Sequence, residues 1–566
     1  MKLNAILLSG VALAATAGTA LAERGADGQL NMLYWQAPST MNVYLSAGTK
    51  DMTASSLVLE PLAGFNETGE IFPRLAAEIP TVENGGVSAD FTSITWKLKD
   101  GVKWSDGTPL TADDVKFTAD YCMSETGGCA QAAKFEGIKS VEVVDPLTVK
   151  ITYDEPRPYP YSAFVGSLAP VIQKAQFEAC IGDKAPTCTE QNFKPIGTGP
   201  FKVVEFRTND VATFEANSEY READKPAFSR VNLKGGGDSA AAARAVLETG
   251  EYDYAWNMQL SPEVMAQMLA AGKGTFPAGF GTQLEHIIFN ATDASPSLPD
   301  GERSTVKHPN PILSDEKVRR ALSMAIDRNL LNEIGYGETG RATCDMVNAP
   351  EQYASGSQAC LTQDIEGAKA LLDEAGWTQG GDGVREKDGR KLSLTFQTSV
   401  NPVRQDFQSL IKQWWSEIGV QTELRSIDAS VFFGTDPGSP DTMNKFYADV
   451  EMFTDVYDGT DPASYLGERI CSKIPGPDNQ WQGENTARFC NEDYDKLNVQ
   501  LGETGDPEKR AELAKQMNKI LTEDTMTHLP LIWRGRVSAT SNTLAGFKIN
   551  PWDTEMWNVA DWSRAK

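Results

Sequence analysis

Histidine is scarce in this sequence. There are three in 566 residues, His286, His308 and His528, and no two are neighbours. That leaves little material for a zinc site or for histidine-based acid–base chemistry. Basic charge is also short: 52 Lys and Arg against 78 Asp and Glu give a formal net charge of −26. A chain this acidic repels phosphate backbones and anionic lipid, which argues against nucleic acid and membrane surfaces as partners. No CxxC occurs, so a zinc ribbon or thioredoxin-type chemistry has no support. GxSxG and HExxH are missing as well, and no catalytic residue, metal site or cofactor is expected. A glycosidase-type carboxylate pair is a spatial quantity, so a secreted carboxylate-based hydrolase remains the reading from a different class.

What is present describes a packed, exported protein. The chain is 40% hydrophobic and 23% charged, ordinary for globular proteins, and its length allows three or four domains at ~150 residues each. Met1-Lys2-Leu3-Asn4 is a short positive segment, followed by an apolar run from Ala5 to Leu21 and the small-x-small pattern Ala20-Leu21-Ala22. This reads as a signal peptide over residues 1–22, with a mature chain starting at Glu23. No Cys follows the cleavage point, so no lipid anchor is expected, and no later stretch reaches the ~20 apolar residues of a membrane span. The eight cysteines fall in four close couples, Cys122/Cys129, Cys180/Cys188, Cys344/Cys360 and Cys471/Cys490. Of the 105 connectivities that eight cysteines allow, local pairing is the simplest; the alternative is that some are free buried thiols.

The middle of the chain alternates short β-rich runs with helical patterns. Leu30 to Trp35 reads as a strand, Thr92 to Lys99 as a half-buried one, and Val143 to Tyr153 as strand around the Asp145-Pro146 turn. Thr111 is expected to cap a helix with Asp113 and Asp114 in its first turn. Ser239 to Glu248 reads as a helix stopped by Gly250, and Ser314 as the cap of a helix with a stripe at Val318, Leu322, Ala325 and Ile326. Further helices are expected over Thr362 to Ala375 and Arg404 to Ile418, around a strand from Lys391 to Gln397. This order argues for an α/β protein with helix-covered parallel or mixed sheets.

Trp96 to Val115 (WKLKDGVKWSDGTPLTADDV) resembles the signature of family 5 extracellular solute-binding proteins, the dipeptide- and oligopeptide-binding components of ABC importers. Gly197-Thr198-Gly199-Pro200-Phe201, Phe289-Asn290, Val318 to Leu331, Ala368 to Trp377 and Leu529-Pro530-Leu531 agree in the family's order. The resemblance implies a bilobal periplasmic binding protein of type II, the large peptide-binding kind, closing on its ligand like a clam. Lobe I would comprise residues 23–66, 190–285 and 532–566, lobe II residues 286–531, and an extra subdomain, 67–189, would sit on lobe I. It further implies a monomeric periplasmic protein that captures a peptide or similar small molecule and delivers it to an ABC permease and ATPase complex. An oligosaccharide, opine or metal chelate is the alternative ligand within the family.

Several motifs have bland explanations. The Asp106/Asp113/Asp114 segment lacks EF-hand spacing and reads as a turn and helix cap. Gly235-Gly236-Gly237-Asp238-Ser239 lacks the Lys-Ser/Thr of a phosphate loop. His286 and His308 near the expected lobe crossing read as bystanders. The site candidates are Trp35, Arg404, Phe453, Asp455, Tyr457 and Asp458. Trp35 ends the first strand where lobe I should face the cleft, and is either a ligand contact or core. Phe453 to Pro462 (FTDVYDGTDP) resembles the family's aromatic-x-x-Asp-x-x-Asp-Pro loop, whose aspartate takes a peptide ammonium. Counting back from Asp461-Pro462 gives Asp458; counting forward from Phe453 gives Tyr457 or Asp455, because two extra residues intervene. Arg404 matches the place where dipeptide binders hold the ligand carboxylate; the alternative is a surface Arg in a helix first turn.

Overall fold

The computed structural model describes residues 23–566, so the expected signal segment lies outside the described residues. Three sheets organise the rest. A seven-stranded sheet has the order Gly274–Thr275, Ala539–Ser541, Tyr254–Trp256, Gln29–Tyr34, Arg230–Gly235, Val211–Ala216, Phe201–Arg207. Its strand Gln29–Tyr34 runs parallel to both neighbours. Leu30, Met32 and Tyr34 are buried on one face and Leu33 on the other, the two-sided burial that parallel strands require.

A six-stranded sheet has the order Gly340–Ala342, His528–Val537, Ala278–Phe289, Val450–Asp455, Ser393–Ser399, Gln421–Ile427. The helix Pro402–Glu417 packs on it. Both Trp414 and Trp415 are buried, and the Trp415 indole donates to the Leu322 carbonyl at 3.0 Å. A three-stranded sheet, Ser93–Lys97, Thr148–Tyr153 and Ile138–Asp145, is covered by the helix Ala112–Cys122. The hairpin turns at Asp145-Pro146 as the sequence leads one to expect. At the start of that helix Asp114 Oδ2 accepts from the Thr111 backbone N–H at 3.0 Å.

The chain passes between the two large sheets on one antiparallel ribbon. Strand Ala278–Phe289 pairs with His528–Val537 from Ala278↔Val537 to Ile288↔His528, with register breaks between Phe280 and Leu284 and between Glu285 and His286. Gly281 lies in the first break; a Cβ there would meet the Pro551 carbonyl oxygen at 2.0 Å, so no larger residue fits. The result is a bilobal α/β protein, as expected.

Two local expectations need correction. Ser314 does not cap the helix Glu316–Met324: its N–H is held by the Asn310 carbonyl in the preceding turn, and Asp315 accepts from the Lys317 N–H at 2.9 Å instead. The helix expected from Thr362 starts at Ile365, because Asp364 takes the Gly367 N–H at 2.7 Å. The four disulfides are Cys122–Cys129, Cys180–Cys188, Cys344–Cys360 and Cys471–Cys490, the four local couples.

Candidate solute-binding cleft

The lobes are in contact. Asn401 Nδ2 donates to Gln259 Oε1 at 2.7 Å and Thr435 Oγ1 to the Leu45 carbonyl at 3.0 Å; beside them Arg534 Nη2 donates to Asn257 Oδ1 at 2.6 Å. Between them lies a chamber of about 90 Å³, lined on one side by Ala47, Met52 and Leu168 and on the other by His286, Phe453, Asp455, Arg469 and His528. A narrower space of about 20 Å³ adjoins it across Ala47, Phe433 and Thr454, and reaches Lys50, Gln283, Arg404 and Arg534. So little room means that a solute enters only when the lobes part.

The narrow end is built on Glu285, fully buried on the crossing strand. Its carboxylate accepts from Arg404 Nε at 2.6 Å, Thr454 Oγ1 at 2.5 Å and the Tyr336 hydroxyl at 3.2 Å. Burial alone would raise the Glu285 carboxyl; Arg404 and Arg534 outweigh it and hold the group below the ordinary carboxylate value. Lys50 is paired with Asp51 at 2.7 Å. Arg534 Nε and Gln283 Oε1 are buried without a partner. This end therefore carries Arg404, Arg534 and Lys50 against Glu285 and Asp51, an excess of one positive charge.

The wide end is lined by carboxyls. Asp455 pairs with Arg469, and Glu468 and Glu484 also line the space. Burial pushes the Glu468 and Glu484 carboxyls up, against the pull of Arg469 on the first and Lys473 on the second. His286 is fully buried with both ring nitrogens unpartnered, its ring edge-on to Phe453 at 4.6 Å. His528 stacks on it, centroids 6.2 Å apart, and shares a hydrogen bond of 3.1 Å with Thr527 Oγ1. Burial lowers the affinity of both imidazoles for a proton.

The structure brings Arg404, Phe453 and Asp455 to this chamber. It does not bring the other three. Trp35 packs among Ala243, Val246 and Met258, and its indole N–H is taken by the Asn257 carbonyl at 2.9 Å. Tyr457 stacks on Tyr465 with its hydroxyl on the Ala349 carbonyl at 2.6 Å. Asp458 accepts from the Leu168 N–H at 2.8 Å and faces a separate cavity lined by residues 133–162 on one side and 458–510 on the other. Arg404 is 3% exposed, so it is not a surface residue of its helix. Sequence reasoning missed Glu285, Arg469 and Arg534, which sit in no motif; His286 was visible only as a rare residue near the expected crossing.

The comparisons with known proteins agree with this architecture. Residues 70–470 match the family model for bacterial extracellular solute-binding proteins, family 5. The glutathione-binding protein GsiB of Salmonella paratyphi A is 26% identical over 520 residues, covering 91% of this chain and 90% of that protein. Among solved structures, the oligopeptide-binding protein AppA of Bacillus subtilis, in complex with a nonapeptide, superposes with a TM-score of 0.82 at 22% identity, covering 96% of this chain and 100% of that one. NikZ of Campylobacter jejuni, in complex with Ni(L-His), gives 0.76 at 23% identity over 95% and 99%. With a family model matching most of its length, this chain belongs to the family 5 extracellular solute-binding proteins.

Proposed function

We propose that the protein captures a small zwitterionic solute of the peptide class between its lobes and hands it to the permease and ATPase of an ABC importer. One observation carries this reading: the interlobe chamber has unpartnered buried polar atoms at both ends, with an excess cation at one end and a cluster of carboxyls at the other. Groups such as Arg534 Nε and the His286 nitrogens are costly to bury unless something else bonds to them. A ligand carboxylate fits the Arg404–Arg534 end, and a ligand ammonium fits the Asp455–Glu468–Glu484 end. Asp455 is the better ammonium candidate than Asp458 because it shares the chamber with Arg404 through Thr454. An uncharged sugar leaves both ends uncompensated. The names of the similar proteins, which include peptide and glutathione binders, support the peptide class. Periplasmic residence after removal of residues 1–22, without a lipid anchor and as a monomer, completes the proposal.

Native mass spectrometry of the protein exported by its own host tests the ligand class. A bound peptide or amino-acid derivative is expected; a neutral oligosaccharide overturns the reading. Calorimetry with that solute should show Asp455→Asn losing about 30-fold or more in affinity, since one partner of a buried charge pair is removed, and Asp458→Asn losing far less.

A further inference from the structure

Three of the four disulfide-closed loops meet beside the interlobe chamber. The longest, residues 471–490, reaches from the chain after strand Val450–Asp455 to the segment 126–136, which follows the helix Ala112–Cys122. Gln482 Oε1 accepts from the Gly128 N–H at 3.0 Å, Glu484 Oε1 accepts from the Ala133 N–H at 2.9 Å, and Lys473 pairs with Glu136 at 2.6 Å. Gln480 Nε2 donates to the Thr126 carbonyl. Gly128 belongs to the loop closed by Cys122–Cys129 and is backed by the loop closed by Cys180–Cys188: a Cβ on it would meet the Gly182 carbonyl oxygen at 2.6 Å. Both sides of this contact wall the chamber, Ala130 and Gln131 on one side, Glu484 and Thr486 on the other. Residues 471–490 are thus a strap across the wide end.

The strap is strained. Its non-glycine residues Gln480, Trp481 and Arg488 have φ of +56°, +62° and +54°, a backbone state that persists only where the surroundings impose it. Gln482 Nε2 and Glu484 Oε2, the second atoms of the two gripping groups, are buried without a partner, which opposes the closed contact. Asn485 Nδ2 ties the base by donating to the Arg469, Ile470 and Phe489 carbonyls at 2.9, 3.0 and 2.6 Å, and Arg488 donates to the Asn444 and Thr486 carbonyls at 2.6 Å. Water can replace those partners; it cannot replace the Cys471–Cys490 bond. Among the described residues, which include all eight cysteines, Cys490 is the only exposed one. Exposure and strain are what make a disulfide open to exchange. We propose that Cys490 is a thiol–disulfide exchange site through which a dithiol reductant releases the strap and loosens the wide end of the chamber. The attacking thiolate bonds to Cys490 Sγ as the Cys471–Cys490 bond breaks, and Cys471 leaves as a thiolate and takes a proton. The reductant's second thiol then displaces Cys490, so the reductant leaves as its own disulfide and the protein keeps two thiols. The reduced loop regains the freedom that a 19-residue crosslink removes, and the grip of Gln482 and Glu484 on Gly128 and Ala133 loosens. None of this depends on which solute the chamber takes.

The mature full-length protein tests the proposal without a solute. In a dithiothreitol titration under native conditions, followed by iodoacetamide and peptide mapping, Cys471 and Cys490 should label before the other six cysteines. By hydrogen exchange, the peptide containing Gly128 and Ala133 should exchange about tenfold faster or more in a Cys471→Ser, Cys490→Ser double variant. Strands Gln29–Tyr34 and Ser393–Ser399 should exchange as in the wild type. A Cys344→Ser, Cys360→Ser double variant, whose lost crosslink lies outside the strap, should leave the Gly128 peptide unchanged. If the first variant does not fold, wild type reduced at Cys471–Cys490 in the titration takes its place. The proposal is overturned if another disulfide is reduced first, or if Gly128 and Ala133 keep the wild-type rate. It is also overturned if exchange rises equally in all strands, which would make the bond a staple for stability alone.

Discussion

Arg404 grips Glu285 at two points, Nε to Oε1 at 2.6 Å and Nη2 to Oε2 at 3.2 Å, with both side chains buried. The two come from opposite kinds of element: Glu285 from the strand that carries the chain between lobes, Arg404 from the first turn of the helix Pro402–Glu417, fixed there by the Asn401 cap. The fork is thus already engaged before any ligand arrives. A solute carboxylate would share it, with Arg534 as the less compensated cation beside it.

Replacing Glu285 strands Arg404 and Arg534 in the interior. Glu285→Gln should lower the unfolding free energy by about 3–5 kcal/mol, the cost of breaking a buried pair on one side. Urea unfolding of the two proteins at neutral pH measures it, and a loss under about 1 kcal/mol would show that water reaches the pair. Since the folded carboxyl is held below the ordinary value of 4.5, its stabilisation is present above that pH and disappears as pH falls through the folded value. The variant should lack this share of the acid sensitivity.

The stacked His286 and His528 act on a different pH range. Both are held below the ordinary value of 6.5, first by burial. Arg469 adds to the lowering in both cases, while Asp455 and Glu285 pull His286 the other way. Below 6.5 the unfolded chain binds protons that the folded chain refuses, so stability falls with decreasing pH, by up to about 1.4 kcal/mol per pH unit for each histidine. Denaturation between pH 7.5 and pH 5 on wild type and His528→Phe reads this. Parallel curves would remove His528 as a contributor.

The disulfides should contribute in order of the loops they close. Cys471–Cys490 spans 19 residues and Cys122–Cys129 spans 7. Chain entropy gives about 3 kcal/mol for the longer loop and about 2.4 kcal/mol for the shorter. Paired Cys→Ala variants compared by urea unfolding check the ranking, which is wrong if removal of Cys122–Cys129 costs more.

Closure should depend on two side-chain bonds that join the lobes, Asn401 to Gln259 and Thr435 to the Leu45 carbonyl. A Gln259→Ala, Thr435→Val double variant removes both. Its ligand-free radius of gyration in small-angle scattering should exceed that of the wild type, and saturating solute should shrink it, because a ligand favours the state it contacts best. An identical radius in all four measurements counts against hinged closure.

The sequence by itself determined what depends on near neighbours. Cysteines 7 to 19 residues apart found each other, and the 138–153 hairpin turned at Asp145-Pro146. Gly250 ended its helix where expected, and the run of motifs from Trp96 to Leu531 marked the family. Capping was legible to within one or two residues, because Ser314 and Asp315, or Thr362 and Asp364, offer competing acceptors to the same turn.

Only the tertiary structure decided which charges meet. Two extra residues between Phe453 and Asp461 left Asp455 and Asp458 equivalent on paper; the fold sent one to the interlobe chamber and the other to a separate cavity. Arg404 looked free because its partner Glu285 lies 119 residues earlier. Trp35 looked like a cleft residue until the Asn257 carbonyl took its indole N–H from 222 residues away. Hydrogen bonds and ion pairs inside a protein gain their strength from burial. Burial at these positions is the joint product of segments more than a hundred residues apart, which no window of neighbouring residues contains.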